Sequence, residues 1–571
     1  MKTTIANPLA GVFARRNAGQ PDAAANSATS TGIQPAWLLV AASVWMATAA
    51  NMPLWNALAA HGLLQGAGGA RTLLAFALII ASGLTLLTSL LAWRWTLKPA
   101  LVALLLAAAF GSYFMSAYHV VLDTSMMVNV LQTDLHETLD LLNFHMLLVV
   151  TALGMAPALV VWRIPVNYRR PARRALHNML VAVLSAMVLA ATVLASFQML
   201  SSTLRNHHEL RYLMNPLNAV YALANLAARP LQRDRSVMEP VGQDARAATV
   251  APGGRPPLLV LVLGETGRSG NFGINGYERD TTPELSAMRT EIASFQNAWS
   301  CGTSTAASVP CMFSPLGKSG FESRQHEYEG LLDVVQHAGM AVLWLDNQSG
   351  CKGACDRVPH ADTSNLENAA LCPGGECLDG IMLEGIDDRI AALPAERRAK
   401  GVVLVMHQMG SHGPAYYQRS PDDFKRFLPE CKSSDLQACS QAELVNAYDN
   451  SIAYTGHFLA STIGWLKTRQ DRYDTAMVYV ADHGESLGEN NLYLHGLPYL
   501  VAPDVQKRVP WITWLSDSFE RRTGLSTACL RAQSGARLSH DNYFHSVLGL
   551  MGIQTRVYQR ALDVYSGCSG A

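Results

Sequence analysis

Residues 258–268 read LLVLVLGETGR. Six apolar residues run straight into Gly264 and then a carboxylate, Glu265, the pattern of a strand with both faces covered that ends in a polar turn. Runs of the same kind recur as AVLWL at 341–345, VVLVM at 402–406 and MVYV at 477–480, with helical patterning between them. Such alternation predicts an α/β domain with a mostly parallel sheet. Ligands of open α/β sheets gather beyond the carboxyl ends of the strands, and here those positions are rich in metal-type donors. Glu265 follows the first run, His407 and then His412 follow the third within HQMGSHGP, and Asp482 with His483 follow the last within ADHGES, with His495 close behind in LYLHG. Carboxylates with imidazoles suit a divalent transition metal, zinc or manganese, and zinc fits an oxidising compartment better than redox-active iron.

A metal of this kind activates a hydroxyl, and SCGTSTAASVPCMF at 300–313 supplies Thr303, Ser304, Thr305 and Ser308 between Cys301 and Cys311. Small hydroxyl residues leading into Ala306 and Ala307 read as a helix N-terminus, where backbone N–H groups and the macrodipole favour a phosphate or an alkoxide. An aliphatic alcohol is a poor nucleophile until it is deprotonated, and metal coordination lowers its pKa. A hydroxyl among strand-end ligands therefore predicts covalent phosphoryl or sulfuryl transfer.

The rest of the chain says where this chemistry takes place. Of 571 residues, 49% are hydrophobic and only 15% charged, which points to lipid. The formal net charge of zero excludes the basic face of a nucleic-acid binder. Apolar runs long enough for a ~30 Å hydrocarbon core lie near 36–57, 72–93, 99–118, 144–163 and 178–200, predicting five transmembrane helices. Lys2, Arg15 and Arg16 precede the first run, Arg94 and Lys98 separate the second and third, and Arg163, Arg169, Arg170, Arg173 and Arg174 follow the fourth. Positive residues mark cytoplasmic segments, so everything after residue 200 is expected outside. The ten cysteines agree, since none precedes residue 301. Close spacing suggests the pairs Cys301 with Cys311, Cys351 with Cys355, Cys372 with Cys377, Cys431 with Cys439, and Cys529 with Cys568, although sequence alone leaves connectivity open.

The expected organisation is a cytoplasmic segment 1–35, a five-helix transmembrane domain 36–200, interfacial helices and a Pro/Gly-rich linker 201–257, and a catalytic domain 258–571. In the acidic loop 118–143, Asn129, Thr133 and Glu137 recur at a spacing of four, which would place them on one helical face, either solvated or facing a cationic lipid headgroup.

GETGR, SCGTSTAASVPCMFS, DNQSGCKGACDRVP, HQMGSHGPAYY and ADHGESLGE together resemble the lipid A phosphoethanolamine transferases, which include the mobile colistin-resistance enzymes, within the alkaline phosphatase and sulfatase superfamily. The resemblance spans essentially the whole chain. It implies an alkaline phosphatase-like periplasmic domain tethered to a Gram-negative inner membrane, with Thr305 the nucleophile and Glu265, Asp482 and His483 joining it around one or two zinc ions. It further implies that His412 and His495 bind the transferred phosphate group or a second zinc, that His407 and Lys352 lie at the substrate, and that Asn129, Thr133 and Glu137 contact a headgroup. Phosphatidylethanolamine is the implied donor, lipid A the implied acceptor, polymyxin resistance the consequence, and a monomer the expected state. Rival expectations are the same transfer to a core sugar or periplasmic glucan, a metal-dependent phosphodiesterase, and a non-enzymatic sensor with a degenerate site. A sulfatase is disfavoured, because Thr305 cannot become formylglycine.

Overall fold

A computed structural model describes residues 32–133, 138–139, 141–168, 170–232, 234–250, 252–372 and 376–569. Five helices are long and apolar enough to cross a membrane: Pro35–Ala60, Gly68–Leu90, Leu97–Ala117, Phe144–Arg163 and Pro171–Ala195. Leu73, Leu74, Leu159, Leu180 and Val183 stand exposed along them, as side chains that face acyl chains do. Two buried amides inside the bundle bond to neighbouring backbone groups, as a lipid surrounding favours. Asn51 donates to Met46 O at 2.6 Å and accepts from Asn215 N at 3.0 Å, while Asn215 Nδ2 reaches Ala50 O at 2.9 Å and Ala108 O at 2.6 Å. The segment after the fifth span is thereby stitched to the first and third. Gly154 permits close packing of the fourth span on the third, since a Cβ there would lie 2.8 Å from Ala109 Cβ.

The fifth span departs from expectation. It starts at Pro171 rather than 178 and ends at Ala195, and Phe197–Asn206 is a separate helix. The cause of the early start is Arg174, which reads as a topology signal but is buried, its guanidinium donating to Ala92 O at 2.7 and 2.6 Å and so capping the end of the second span. The stretch expected to be linker also carries structure, because Asp234–Glu239 is a strand paired in parallel with His326–Tyr328.

The C-terminal domain is built on one eight-stranded sheet. Its strands, in chain order, are β1 (Pro257–Gly264), β2 (Ile292–Trp299), β3 (Ala341–Asp346), β4 (His360–Asp362), β5 (Val402–His407), β6 (Asp474–Ala481), β7 (Arg508–Leu515) and β8 (Leu538–Ser539). Their spatial order is β8-β2-β7-β6-β1-β5-β3-β4. All neighbours run parallel except β7, which is antiparallel to both β2 and β6. The four apolar runs found in the sequence are β1, β3, β5 and β6, every residue of which is buried. β2 escapes a search for continuous runs because its burial alternates, and β7 because Pro510 interrupts RVPWITWL at a register shift. β1 lies between β5 and β6 in register, so Leu263 faces His407 on one side and Val480 on the other. That register brings Glu265, His407 and Asp482 to one end of the sheet.

Candidate active site

Glu265 leaves β1 into a turn whose next residue, Thr266, has φ +58°. The left-handed backbone is held from two sides: Thr266 N donates to Asp482 Oδ1 at 3.1 Å, and Tyr448 Oη donates to Thr266 O at 2.7 Å. Tyr448 belongs to the long helix α3 (Gln441–Lys467), which begins with a Ser440–Glu443 capping box. Facing this turn is the helix α2 (Thr305–Met312), whose first residue is Thr305. A disulfide joins Cys301 to Cys311 and closes the loop before α2 onto the helix itself. Gly302 N donates to Ser308 Oγ at 2.9 Å, and a Cβ on Gly302 would lie 2.5 Å from Ala307 Cβ, so only glycine fits this fold-back. The other cysteines pair as Cys351–Cys355, Cys372–Cys377, Cys431–Cys439 and Cys529–Cys568.

These elements bring four expected residues together. Thr305 Oγ1 donates to Glu265 Oε2 at 2.9 Å and lies 3.4 Å from His483 Nε2. His483 Nε2 is 3.3 Å from Glu265 Oε1 and 3.4 Å from Asp482 Oδ2, while its Nδ1 bonds Gly484 O at 2.9 Å. That second bond keeps Nδ1 protonated, so a ring that gives up its Nε2 proton for a bound cation would turn the Nε2 lone pair to the cluster. All four side chains are nearly or wholly buried, with Thr305 the most open at 7%. Burial and the charge of Glu265 push the Asp482 carboxyl up to about 7. Burial disfavours a charged His483, but Asp482 and Glu265 outweigh it and raise the ring to about 10. Asp482 Oδ2 is buried and receives no hydrogen bond, and one donor atom each from Glu265, Asp482 and His483 lies within 4.8 Å of the others. An unsatisfied carboxylate oxygen inside an N/O donor set of this size fits a divalent cation.

A cavity opens in front of Thr305. Its soluble wall includes Ser304, Thr305, Lys352, His412 and His495, and its other wall comes from the membrane domain, with Phe114, Tyr118, Met126, Asn129 and Thr133. The two domains meet beside it through Tyr118 Oη donating to Ser434 O at 3.1 Å and Gln437 Nε2 donating to Ala117 O at 2.8 Å.

Two family models match the chain: Sulfatase over residues 257–553, and Phosphoethanolamine transferase EptA/EptB over residues 80–231. Phosphoethanolamine transferase EptA of Salmonella typhimurium is 37% identical over 545 residues, spanning 94% of this chain and 97% of that protein. Phosphatidylethanolamine transferase Mcr-1 of Escherichia coli is 36% identical, spanning 91% of this chain and 95% of that one. The integral membrane lipooligosaccharide phosphoethanolamine transferase A (EptA) of Neisseria meningitidis superposes with a TM-score of 0.88 at 33% identity, covering 94% of this chain and 99% of that structure. The chain belongs to the EptA family of phosphoethanolamine transferases.

The remaining expected residues of this EptA-family chain fall into three groups. His412 and His495 stand at the cavity, their ring centroids 5.9 Å apart, with the His495 ring 4.3 Å from that of His483. Buried Glu485 holds His495 Nδ1 at 3.2 Å. Lys352 also lines the cavity, with a left-handed backbone at φ +49° and Nζ donating to Ser349 O at 2.9 Å. Asn129 and Thr133 line the opposite wall, but the shared helical face does not hold. The helix α1 (Thr124–Gln132) ends before Thr133, which is extended and caps it by donating to Asn129 O at 2.8 Å. Glu137 lies outside the described residues. His407 is fully buried and does not line the cavity; it ends β5 in register with Asp346 at the end of β3, with Nδ1 3.1 Å from Asp346 Oδ2 and Nε2 buried without a hydrogen-bond partner among the described residues.

Three contributors escaped the sequence reading. Gln348 Nε2 donates to Glu265 Oε2 at 3.2 Å, and its signal was present, since it follows β3 as Glu265 follows β1. Thr266 Oγ1 donates to Glu265 Oε1 at 2.6 Å. His540 accepts from Cys301 N at 3.1 Å through Nδ1 and bonds Ala481 O at 3.0 Å through Nε2, bridging the Thr305 loop to the end of β6. Burial pushes its pKa down to about 3, keeping the ring neutral. Nothing local in SHDNYF marks it.

Proposed function

We propose that this protein transfers phosphoethanolamine from phosphatidylethanolamine to a lipid A phosphate through a covalent intermediate on Thr305. The observation that carries the reading is the Thr305 hydroxyl, bonded to a buried carboxylate at the first turn of a helix, on the floor of a cavity whose facing wall belongs to the membrane domain. In the first half-reaction a bond forms between Thr305 Oγ1 and phosphorus while the bond from phosphorus to the diacylglycerol oxygen breaks. The Thr305 proton leaves along the hydrogen bond to Glu265, and the departing alkoxide takes a proton on the side lined by His412 and His495. In the second half-reaction a lipid A phosphate oxygen attacks phosphorus and Thr305 Oγ1 departs, taking a proton back.

Glu265, Thr305, Asp482 and His483 would hold a zinc ion, with His412 and His495 placed for the phosphate group or a second ion. Bound there, zinc supplies Lewis acidity that favours the threonine alkoxide and offsets charge on the phosphoryl oxygens. The chain's own part is positional: Gln348 and Thr266 orient Glu265, the Gly484 carbonyl orients His483, and the unpaired N–H groups of the first α2 turn face the oxygens of the reacting phosphate. Zinc identity, the Gram-negative inner membrane and the periplasmic side of the catalytic domain belong to the same proposal, supported by the five spans and by the five disulfides of the C-terminal domain. Adding an amine to lipid A lowers its negative charge, so polymyxin resistance follows.

Peptide mass spectrometry of membrane-purified protein, beside lipid A from cells expressing wild type or Thr305→Ala, tests this. A phosphoethanolamine adduct on the Thr305 peptide, with modified lipid A in the wild type alone, is expected. An adduct with unmodified lipid A moves the acceptor elsewhere, and absence of both returns the protein to the hydrolases.

A further inference from the structure

We propose that His61, His207 and Glu209 form a second transition-metal site, of zinc type, at the outer surface of the helix bundle and apart from the Thr305 cluster. His61 is the first residue after the span Pro35–Ala60. His207 and Glu209 lie in the turn that follows the helix Phe197–Asn206. One carboxylate oxygen serves both imidazoles: Glu209 Oε1 is 3.1 Å from His61 Nε2 and 3.4 Å from His207 Nδ1. The two ring centroids are 4.0 Å apart, and all three donor atoms lie within 4.8 Å of one another. Bond lengths of roughly 2.0–2.2 Å at tetrahedral angles separate neighbouring ligand atoms by about 3.3 Å, close to the two distances from Glu209 Oε1 to the imidazoles.

The surroundings favour a cation over a plain ion pair. Glu209 has these two imidazoles as its ion-pair partners among the described residues, whereas the nearby cation Arg211 is turned to Tyr212, donating to its hydroxyl at 2.6 Å. Two imidazoles and one carboxylate are a zinc donor set that leaves a position for water. Side-chain exposures of 35% for His61, 29% for His207 and 43% for Glu209 give the ion a path in and that water a place. Its effect would be to clamp the first span to the segment that carries Tyr212 and Leu213. Those two side chains pack against the cluster of Val121, Leu497 and Ala502, and Leu497 O accepts from Thr303 Oγ1 at 2.6 Å, two residues before the proposed nucleophile. The inference stands independently of the proposed reaction.

Tag-free full-length protein in detergent, dialysed to equilibrium against Zn²⁺ and assayed for bound metal, tests it. The double variant His61→Ala/His207→Ala is expected to hold one zinc equivalent fewer than wild type, and Glu209→Gln to show the same deficit with its thermal unfolding midpoint in chelator unchanged. Equal zinc content in wild type and both variants overturns the site. So does a deficit confined to the double alanine variant, which would reflect misfolding. If the Thr305 cluster holds no metal, wild type and variants fall by the same offset and the difference of one equivalent persists.

Discussion

Behind the soluble wall of the cavity, Glu265, Asp482 and His483 meet Thr305 on strand and helix ends with almost no exposure, whereas the membrane wall offers Met126, Asn129 and Val130 from α1, a nine-residue helix with no buried residue. The first arrangement is preorganised. Gln348 and Thr266 hold Glu265, the Thr266 N–H holds Asp482, and the Gly484 carbonyl holds His483, all in turns that leave the strand ends. The second arrangement is thin and largely apolar, suited to receive a lipid rather than to act on it. Chemistry on the rigid wall and reception on the soft one is how a single cavity can serve substrates drawn from a bilayer, since binding geometry has to vary while the reacting atoms must not.

Removing a group from the rigid wall should have the largest effect. Asp482→Asn keeps the shape of the side chain but weakens the donor set, and turnover of a labelled phosphatidylethanolamine is expected to fall on the order of 10³-fold, beyond the ~10–100-fold typical of residues that only orient ligands. Chelation of wild type should reproduce that loss, and added zinc should reverse it in wild type but not in the variant. Retained turnover would mean that the rigid wall is not the reacting one.

His540→Asn is the next step down. His540 touches no reacting atom, but it ties the Thr305 loop to the end of β6, so the expected result is a kcat lower by roughly 10–100-fold with KM within about twofold. A residue that merely stabilised the fold would lower the amount of active enzyme and leave the kcat of the folded fraction alone, so active-site titration by the Thr305 adduct separates the two roles.

How much of this wall was legible follows from how it is made. β1, β5 and β6 are continuous apolar runs because both their faces are covered, so their ends were legible, and the conjunction of Glu265, His407, His412, Asp482 and His483 at or beyond those ends is what pointed to a metal-type site. The capping pattern marked the hydroxyl-rich loop as a helix start but left Thr303, Ser304, Thr305 and Ser308 open, and the family resemblance singled out Thr305. His407 was singled out for the same reason as the others, a histidine at a strand end, and only the register of β5 against β3 shows its Nδ1 set beside Asp346. His540 was invisible because its two partners come together only through long-range folding. The membrane wall was legible in outline only. A spacing of four placed Asn129 and Thr133 near each other, but the end of α1 lies where no proline or glycine announces it.

The seam between the walls should answer in KM rather than in kcat. Gly496, beside His495, has φ +87°, and a Cβ there would lie 2.7 Å from Met126 Cε across the cavity. Gly496→Ala therefore strains the backbone by about 1–2 kcal/mol and displaces the Met126 side chain of α1. A KM for phosphatidylethanolamine raised about tenfold, equivalent to roughly 1.4 kcal/mol, with kcat changed far less, is the expected outcome. A loss confined to kcat would place Gly496 with the rigid wall instead.

The smallest effect should come from the contact that only holds the two walls in line. Tyr118 Oη donates to Ser434 O at 3.1 Å, joining the end of the third span to the soluble domain, and Tyr118→Phe deletes that bond while keeping the ring that packs against Phe114 and Tyr113. A net hydrogen bond is worth about 1 kcal/mol, and Gln437 still bridges to Ser116 and Ala117 beside it. The unfolding midpoint should fall by a few degrees or less, with turnover within about twofold of wild type, since no reacting group moves. A much larger loss of turnover would mean that the hydroxyl sets the distance between α1 and Thr305, and the membrane wall would then have to be counted among the preorganised parts of the site.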